Sequence, residues 1–530
     1  METSSNKIFA ELNDEQIEAV KAINGPVLIL AGAGSGKTKA LTHRIAYLIS
    51  TGVKPENILA ITFTNKASGE IKERVEKLIS SLTDDKRPTT SPPYMGTFHS
   101  ICLRILRHDI ELLGYIKNFI IYDDDDQLQL IKRVMEDLEI SIKKFNPKSI
   151  LGKISQLKSE LITHTEYADL AKEYSEKILS DIYNSYQISL KRNNAVDFDD
   201  LIMLCVELFH KKPEILAKYQ EIFKYILVDE YQDTNHAQYV WVNLIAKKHR
   251  NLFVIGDDYQ AIYAWRQADI RNILDFEKDY PEAKVIMLEQ NYRSTQNILT
   301  AANNVISNNK NQKHKKLWTQ NSEGAHLLLK EIVNEREEAE YIIETIRYAM
   351  KDGASLSDFT ILYRTHSQSR ALEEAMIKHG FPYRILGGVK FYQRREIKDI
   401  IAYLRLALNP GDNVSLERIY NVPGRGIGQT SFDKLIKNDG SVGQRQLTAF
   451  NEFKEILQEF SVKSRELSPT NLINHVIKKI GYQKYILEDS INGEDRWENV
   501  KELFTATKKY DPPAGEVPPI GLEKFLEEVA

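Results

Sequence analysis

The run Val27-Leu28-Ile29-Leu30 leads directly into Ala31-Gly32-Ala33-Gly34-Ser35-Gly36-Lys37-Thr38. Four apolar residues with β-favouring Val and Ile predict a buried parallel strand. The small residues that follow let the backbone turn sharply, so that its N–H groups can surround a phosphate chain. Lys37 is placed to reach the β- and γ-phosphates, and the Thr38 hydroxyl to hold Mg²⁺. A helix starting at Thr38 adds the partial positive charge of its N-terminus. The first glycine of the usual phosphate-loop pattern is Ala31 here. A Gly-rich turn with a surface lysine is the plainer alternative, but a strand before and a helix after favour nucleotide binding. This arrangement commits the chain to an α/β fold.

With 530 residues, the chain is too long for one core, and two to four domains are expected. A hydrophobic content of 42% and a charged content of 28% fit a globular protein in water. Cys102 and Cys205 form neither a disulfide framework nor a metal-ligand spacing, which suits a reducing cytosol. Met1 to Lys7 lacks the apolar core of a signal peptide, and no apolar run approaches a membrane-spanning length. A cytoplasmic location is expected. The net charge of −4 leaves nucleic-acid binding open, because binding needs local rather than global positive potential.

Leu12-Asn13-Asp14-Glu15-Gln16 opens the fold with a capping residue ahead of Ile17 and Val20. The Gln16 amide could pair with an adenine edge, although an ordinary helix-surface glutamine explains it alone. Lys39 to Ile49 is helical, and the strand-like Ile58-Leu59-Ala60-Ile61 ends in Thr62-Phe63-Thr64-Asn65-Lys66-Ala67. Ligands collect at the carboxyl ends of strands in an open α/β sheet, where this cluster falls. Gly96-Thr97-Phe98-His99-Ser100 precedes another helix. Taken alone, Phe63 and Phe98 read as core residues. From about 106 to 195 the chain turns helical, with Leu128, Ile131, Met135 and Leu138, then Ile150, Ile154, Leu157 and Leu161, at helical spacing. The run Asp123-Asp124-Asp125-Asp126 reads as an acidic first turn of a helix in preference to a metal site.

Tyr225-Ile226-Leu227-Val228 then runs into Asp229-Glu230-Tyr231-Gln232-Asp233. Asp229 can hold Mg²⁺ through its water shell, and Glu230 can orient and deprotonate an attacking water. Leu252-Phe253-Val254-Ile255 leads into Gly256-Asp257-Asp258-Tyr259-Gln260, where Gln260 can sense a γ-phosphate. Tyr263, Trp265 and Arg266 offer two π-faces and a planar cation for stacking unpaired bases. Val285-Ile286-Met287-Leu288 precedes Gln290-Asn291-Tyr292-Arg293-Ser294, in which Tyr292 could stack on a base and Arg293 could contact phosphate.

This ordered set of motifs resembles the UvrD/Rep/PcrA group of superfamily 1 DNA helicases, from Leu12 to the end of the chain. The resemblance implies two RecA-like domains, each interrupted by a mostly helical insertion. Domain 1A would take residues 1–105 and 196–287, helical 1B 106–195, 2A 288–380, and helical 2B 381–530. ATP and Mg²⁺ would sit between 1A and 2A. Ala31, Gly32, Ala33, Gly34, Ser35, Gly36, Lys37, Thr38 and Lys39 would surround the phosphates. Gln16 and Tyr292 would hold the adenine, with Arg44 nearby. Asp229, Glu230 and Gln260 would act from 1A, and Arg293 would reach in from 2A. Phe63, Tyr263 and Trp265 would stack successive bases, while Thr64, Asn65, His99 and Arg266 hold the backbone and orient those rings. The implied activity is single-stranded-DNA-stimulated ATP hydrolysis driving 3′-to-5′ strand separation in repair or replication. The implied partners are single strands, single/double-strand junctions and accessory proteins of those processes.

In the second half, Ala325 to Ile332 and Asp358 to Arg364 are strand-like, and Ile397, Ile400, Ile401 and Leu404 mark one helical face. Asn421 to Gly428 resembles a helix-hairpin-helix turn whose N–H groups could hold a duplex phosphate, although a plain Gly-rich turn explains the glycines as well. Asp511 to Gly515, with Pro518-Pro519, reads as an extended linker. No stretch after Leu522 matches the family's last two motifs, so the second domain is expected to be incomplete, with the chain either the N-terminal portion of a helicase or a natural truncation that needs a complementing C-terminal chain. Two other readings compete with an active motor: an ATP- and DNA-binding protein without motor activity, and an unrelated phosphate-loop protein.

Overall fold

The computed structural model describes residues 8–82, 92–365, 368–386, 391–437, 441–489, 493–512 and 519–529. Among the described residues, eight strands follow one another: β1 (Val27–Ala31), β2 (Ile58–Thr62), β3 (Tyr94–Thr97), β4 (Ile120–Tyr122), β5 (Ala195–Asp197), β6 (Tyr225–Val228), β7 (Leu252–Gly256) and β8 (Lys284–Leu288). Six of them form one parallel sheet in the order β3-β2-β6-β7-β1-β8. Alternation along the strands divides the core between two faces. Leu28, Leu30, Leu59, Ile61, Val228 and Val254 pack on one side against the helices Phe98–Asp109 and Phe198–Lys211 and against Trp241. Val27, Ile29, Ala60, Leu227 and Ile255 pack on the other against Leu41, Ile45 and Leu48 of the helix Lys37–Ser50. The loops after β1, β2, β6, β7 and β8 therefore emerge at one edge of the sheet, the ligand edge of open α/β folds.

The helical insertion leaves and returns through β4 and β5, which pair in parallel from Ile120↔Ala195 to Tyr122↔Asp197. Asp123 caps the helix Asp124–Asp137, with its carboxylate accepting from the N–H groups of Asp125 and Asp126, as expected for an acidic first turn. The buried stripe of that helix is Leu130, Ile131, Val134 and Met135; Leu128 is half-buried and Leu138 lies exposed at the cap. In the next helix, Pro147–Ser159, Ile150 and Ile154 are buried, whereas Leu161 lies beyond the helix with φ +60°. Periodicity located these helices, but in each it ran past the last turn.

The second half differs more from expectation. Neither Ala325 to Ile332 nor Asp358 to Arg364 forms a strand; Leu329 is 97% and Leu362 is 89% exposed. A strand needs a neighbour for its N–H and C=O groups, and no described strand lies beside either run. Order there comes from the helices Glu335–Lys351 and Ser369–Lys378, which meet through Ala339, Ile343, Ile346, Ala375 and Met376.

The helix Arg395–Leu408 buries Ile397, Ile400, Ile401 and Leu404 at the centre of the C-terminal helical body. This body rests on the insertion. Arg405 Nη1 donates to Asp126 Oδ2 at 2.5 Å, Lys398 pairs with Asp123 at 2.8 Å, and the Tyr122 hydroxyl donates to Asp412 Oδ1 at 2.7 Å. The Asn421–Gly428 turn joins the helices Asn413–Ile419 and Gln429–Ile436. Its N–H groups at Arg425 and Ile427 both donate to Asn421 Oδ1, so these two are not free for a phosphate. Of the expected linker, Asp511 to Gly515 with Pro518-Pro519, residues 513–518 lie outside the described residues, and Pro519 opens the helix Pro519–Val529.

Candidate nucleotide and nucleic-acid site

Gly34 and Gly36 hold φ of +68° and +84°, which side chains resist, and they turn the loop after β1 back on itself. Gly32 also requires the absence of a side chain, because a Cβ there would lie 2.0 Å from Leu317 Cδ2. The Ser35 hydroxyl ties the loop to the Gly32 carbonyl at 2.8 Å. Lys37 Nζ, at the first residue of the following helix, forms an ion pair with Glu230 Oε2 at 2.8 Å. Thr38 stands beside it in the same turn.

Asp229 follows β6 and is 6% exposed. Burial, then the neighbouring Glu230 charge, push its carboxyl up to about 6. Glu230 adopts φ +50° and turns out of the strand. Its Oε2 accepts from Gln232 Nε2 at 3.0 Å, and Gln232 Oε1 accepts the Asp257 N–H at 3.0 Å. Asp257 Oδ2 in turn accepts from Gln260 Nε2 at 2.6 Å. One chain of hydrogen bonds thus runs from the acidic pair after β6 to Gln260 after β7.

Asn291 sits opposite the loop. Its Nδ2 donates to the Ala33 carbonyl at 2.6 Å, and its Oδ1 accepts the N–H groups of Arg293 and Ser294. The Tyr292 N–H donates to the Gly34 carbonyl at 2.9 Å. Tyr292 and Arg293 are consequently held against the loop with exposed side chains. Gln16 is buried, with Nε2 donating to the Ser35 carbonyl at 2.9 Å and Oε1 accepting the Asn13 N–H. Lys39 Nζ donates to the Glu11 carbonyl at 2.5 Å. The Arg44 guanidinium is buried among carbonyls, donating to Ala19 and Ile23, and lies 4.4 Å from the Phe253 ring centroid. In this conformation Gln16, Lys39 and Arg44 brace the loop and its helix.

The residues present fit a nucleoside triphosphate with Mg²⁺. A positive-φ loop, a lysine whose present partner is a carboxylate, and the buried Asp229 carboxylate, which lies within the field of Lys37, supply the required donors and charges. Among the described residues, no group of three or more His, Cys, Asp and Glu side chains could hold a metal ion on its own. A cation here would share its ligands with phosphate oxygens.

Phe63 stacks on Tyr263 with centroids 6.0 Å apart and planes at 18°, and Tyr263 is followed by Trp265 at 6.2 Å. Arg266 lies 4.8 Å from the Trp265 centroid. Trp265 is 65% exposed. Phe63, His99, Trp265 and Arg266 line a cleft of about 930 Å³ whose far wall comes from the insertion, including Lys148 and Ser155. Thr64 accepts the Ala67 N–H and starts the helix Asn65–Leu82. His99 packs edge-on against Phe198, and burial lowers its imidazole to about 4, so it is neutral at pH 7. Asp199 and Asp233 also line the cleft. Burial, then the neighbouring Asp197 charge, raise Asp199 to about 7; burial, then Glu230, raise Asp233 to about 6. As pH falls, Asp199 loses its charge near pH 7 and Asp233 near pH 6, and with it their repulsion of a polyanion.

Gln232 and Asn291 stand inside sequence motifs with no role of their own assigned by the pattern, and Lys315 stands outside every motif. The bonds that tie them into the site, Gln232 to Asp257, Asn291 to Ala33 and Lys315 to Asp257, each join residues remote in sequence, so spacing carries no signal for them.

A phosphate loop, an acidic pair and an aromatic cleft at one sheet edge define a phosphate-loop nucleotide-binding protein with a groove suited to unpaired bases. The model of the UvrD/REP helicase N-terminal domain matches residues 12–281, and that of the UvrD-like helicase C-terminal domain matches 286–530. The chain is 47% identical over 526 residues to the ATP-dependent DNA helicase PcrA of Bacillus subtilis, covering 96% of this chain and 70% of that protein. It is 46% identical over 524 residues to the PcrA proteins of Staphylococcus aureus and Staphylococcus epidermidis, covering 96% of this chain and 71% of each relative. The chain belongs to the UvrD/REP helicase family. The match over 286–530 shows that the C-terminal domain is represented, which overturns the expectation that its motifs are missing. No helix among the described residues is long and apolar enough to cross a membrane.

Proposed function

We propose that this protein is an ATP-dependent DNA helicase that moves 3′ to 5′ along single strands and opens duplex at junctions, in repair or replication. The observation that carries this reading is the continuity of one short segment. Asp257 and Gln260 are bonded to the acidic pair through Gln232, and Tyr263, Trp265 and Arg266 follow in the next turn, Ala264–Arg266. A change at the γ-phosphate position therefore reaches the base-stacking rings with no intervening element. The names of the relatives and the order of motifs support the same reading.

Bound ATP and Mg²⁺ supply the scissile phosphoanhydride bond and a counter-charge for it. The loop N–H groups and Lys37 hold the phosphates, and Thr38 and Asp229 hold the cation. Glu230, freed from Lys37 by the incoming phosphates, accepts the proton of the attacking water. Gln260 contacts the γ-phosphate and reports its presence to Tyr263 and Trp265. Arg293 neutralises charge developing on the transferred group, a contact that contributes about 10³–10⁵ in rate in related chemistry. Phe63, Tyr263 and Trp265 stack bases, which hop between them as the cleft opens and closes.

The test is ATP turnover with and without single-stranded DNA, together with strand displacement on duplexes bearing a 3′ or a 5′ tail. DNA-stimulated turnover and unwinding confined to the 3′-tailed substrate support the proposal. Nucleotide and DNA binding without displacement would reduce the protein to a binder and overturn it.

A further inference from the structure

Lys315 is a charged residue placed where charge is costly. It is 8% exposed, and its ammonium lies 2.8 Å from Asp257 Oδ1, against Asp258, and 3.7 Å from the centroid of the Tyr259 ring. Asp257 and Asp258 are themselves 1% and 4% exposed. Adjacent buried carboxylates repel one another, and a cation in contact with both offsets that repulsion. Lys315 supplies it from another part of the chain, the segment that follows the helix Gln296–Ile306.

The segment is fastened on both sides of the nucleotide site. On the β7 side, the Lys313 N–H donates to Asp258 Oδ2 at 2.8 Å. The Tyr259 hydroxyl donates to the Lys315 carbonyl at 3.0 Å and accepts the Lys315 N–H at 3.2 Å. On the other side, Leu317 fills the space over Gly32, and the Trp318 carbonyl accepts the Asn291 N–H at 2.7 Å. Asn291 in turn bonds the Ala33 carbonyl. The carboxylate that Lys315 grips through Oδ1 is the one whose Oδ2 holds Gln260 Nε2.

We propose that Lys315 is a positioning residue for ATP hydrolysis: by fixing the Asp257 carboxylate it sets the Gln260 amide at the γ-phosphate, and residues 313–318 tie that setting to the loop at Gly32. This rests on the reading of the site as a DNA-stimulated ATPase. Lys315 touches no reacting atom. Its removal changes how often Gln260 is in place, and it leaves the phosphate-binding groups where they are.

The experiment is steady-state hydrolysis by the full chain carrying Lys315→Met, at saturating single-stranded DNA, with a fluorescent nucleotide titrated in parallel to count folded sites. Displacing a reactive group by a fraction of an ångström predicts kcat lower by about 10- to 100-fold, while KM for ATP stays within about threefold. In a Gln260→Ala background the same substitution should cost no more than about twofold, because distant, independent sites would instead add. Tyr259→Phe, which removes one hydroxyl and keeps the charges, should show the same pattern at smaller amplitude if Lys315→Met does not fold. Turnover per folded site within about twofold of the parent, or full additivity with Gln260→Ala, overturns the proposal. Failure of the parent chain to hydrolyse ATP in response to DNA would instead overturn the reading of the site itself.

Discussion

Lys37 Nζ and Glu230 Oε2 are 2.8 Å apart, so the ammonium of the phosphate loop and the carboxylate that follows β6 neutralise one another. The pair is partly screened, with Glu230 about one-third exposed, and holds the two groups in reserve more than it stabilises the fold. On the proposed mechanism, a triphosphate entering the loop competes for Lys37 and releases Glu230, so the base becomes available only when there is something to hydrolyse.

Glu230→Gln should lower ATP turnover by about 10²–10⁴-fold, the usual contribution of a positioned general base. Nucleotide affinity should hold or rise, because Lys37 no longer has an anionic partner to give up. Single-turnover hydrolysis and fluorescent-nucleotide titration measure the two effects separately; a marked loss of affinity would contradict the competition.

Trp265→Ala and Tyr263→Ala should each weaken single-strand binding by about 1–3 kcal/mol, the value of one stacked base. Equilibrium anisotropy with a labelled oligonucleotide reads this directly. Trp265 is the cleaner probe, since its exposed ring has less packing to lose than Tyr263, which stacks on Phe63.

The pH dependence of DNA binding should run toward tighter binding in mild acid. Asp199 is raised to about 7, so it is largely protonated and uncharged at pH 6 and ionised at pH 8. Ionisation places a negative charge in the cleft, and affinity falls as pH rises through 7. Asp199→Asn should remove most of the difference between pH 7 and 8, measured at constant ionic strength.

Lys158→Met should destabilise the protein by about 3–5 kcal/mol, because it leaves two buried carboxylates without their cation. Lys158 Nζ lies 2.6 Å from Asp197 and 2.8 Å from Asp200, all buried, and the Tyr186 hydroxyl completes the cluster on Asp197. Urea unfolding followed by circular dichroism checks the size of the loss. The cluster joins the insertion helix Pro147–Ser159 to the helix Phe198–Lys211 of the sheet domain, so the damage should appear first at that junction.

The central strands were legible because each is a short apolar run closed by a polar cluster, and a buried parallel sheet leaves little else for such runs to do. β1, β2, β6, β7 and β8 and the residues at their carboxyl ends followed from that pattern. The same signal misled at Ala325 to Ile332, where alternating apolar residues exist but no described neighbour completes a ladder. The roles of Gln232, Asn291 and Lys315 were hidden for a different reason. Each acts through partners brought near by tertiary folding, and a glutamine or lysine in sequence does not say which carbonyl or carboxylate it will meet. Gln16, Lys39 and Arg44 show the converse: family resemblance placed them at the nucleotide, while the conformation described here uses their polar atoms to brace the loop.

The pairing of β4 with β5 makes the helical insertion a side branch of the sheet domain. Its first and last residues enter adjacent strands, about 5 Å apart laterally, so the branch could change in length or content while the six-stranded order stays intact. The sheet edge carries the phosphate loop and the acidic pair, while the branch contributes Lys148 and Ser155 to the far wall of the aromatic cleft, so that wall can be altered without touching the loop.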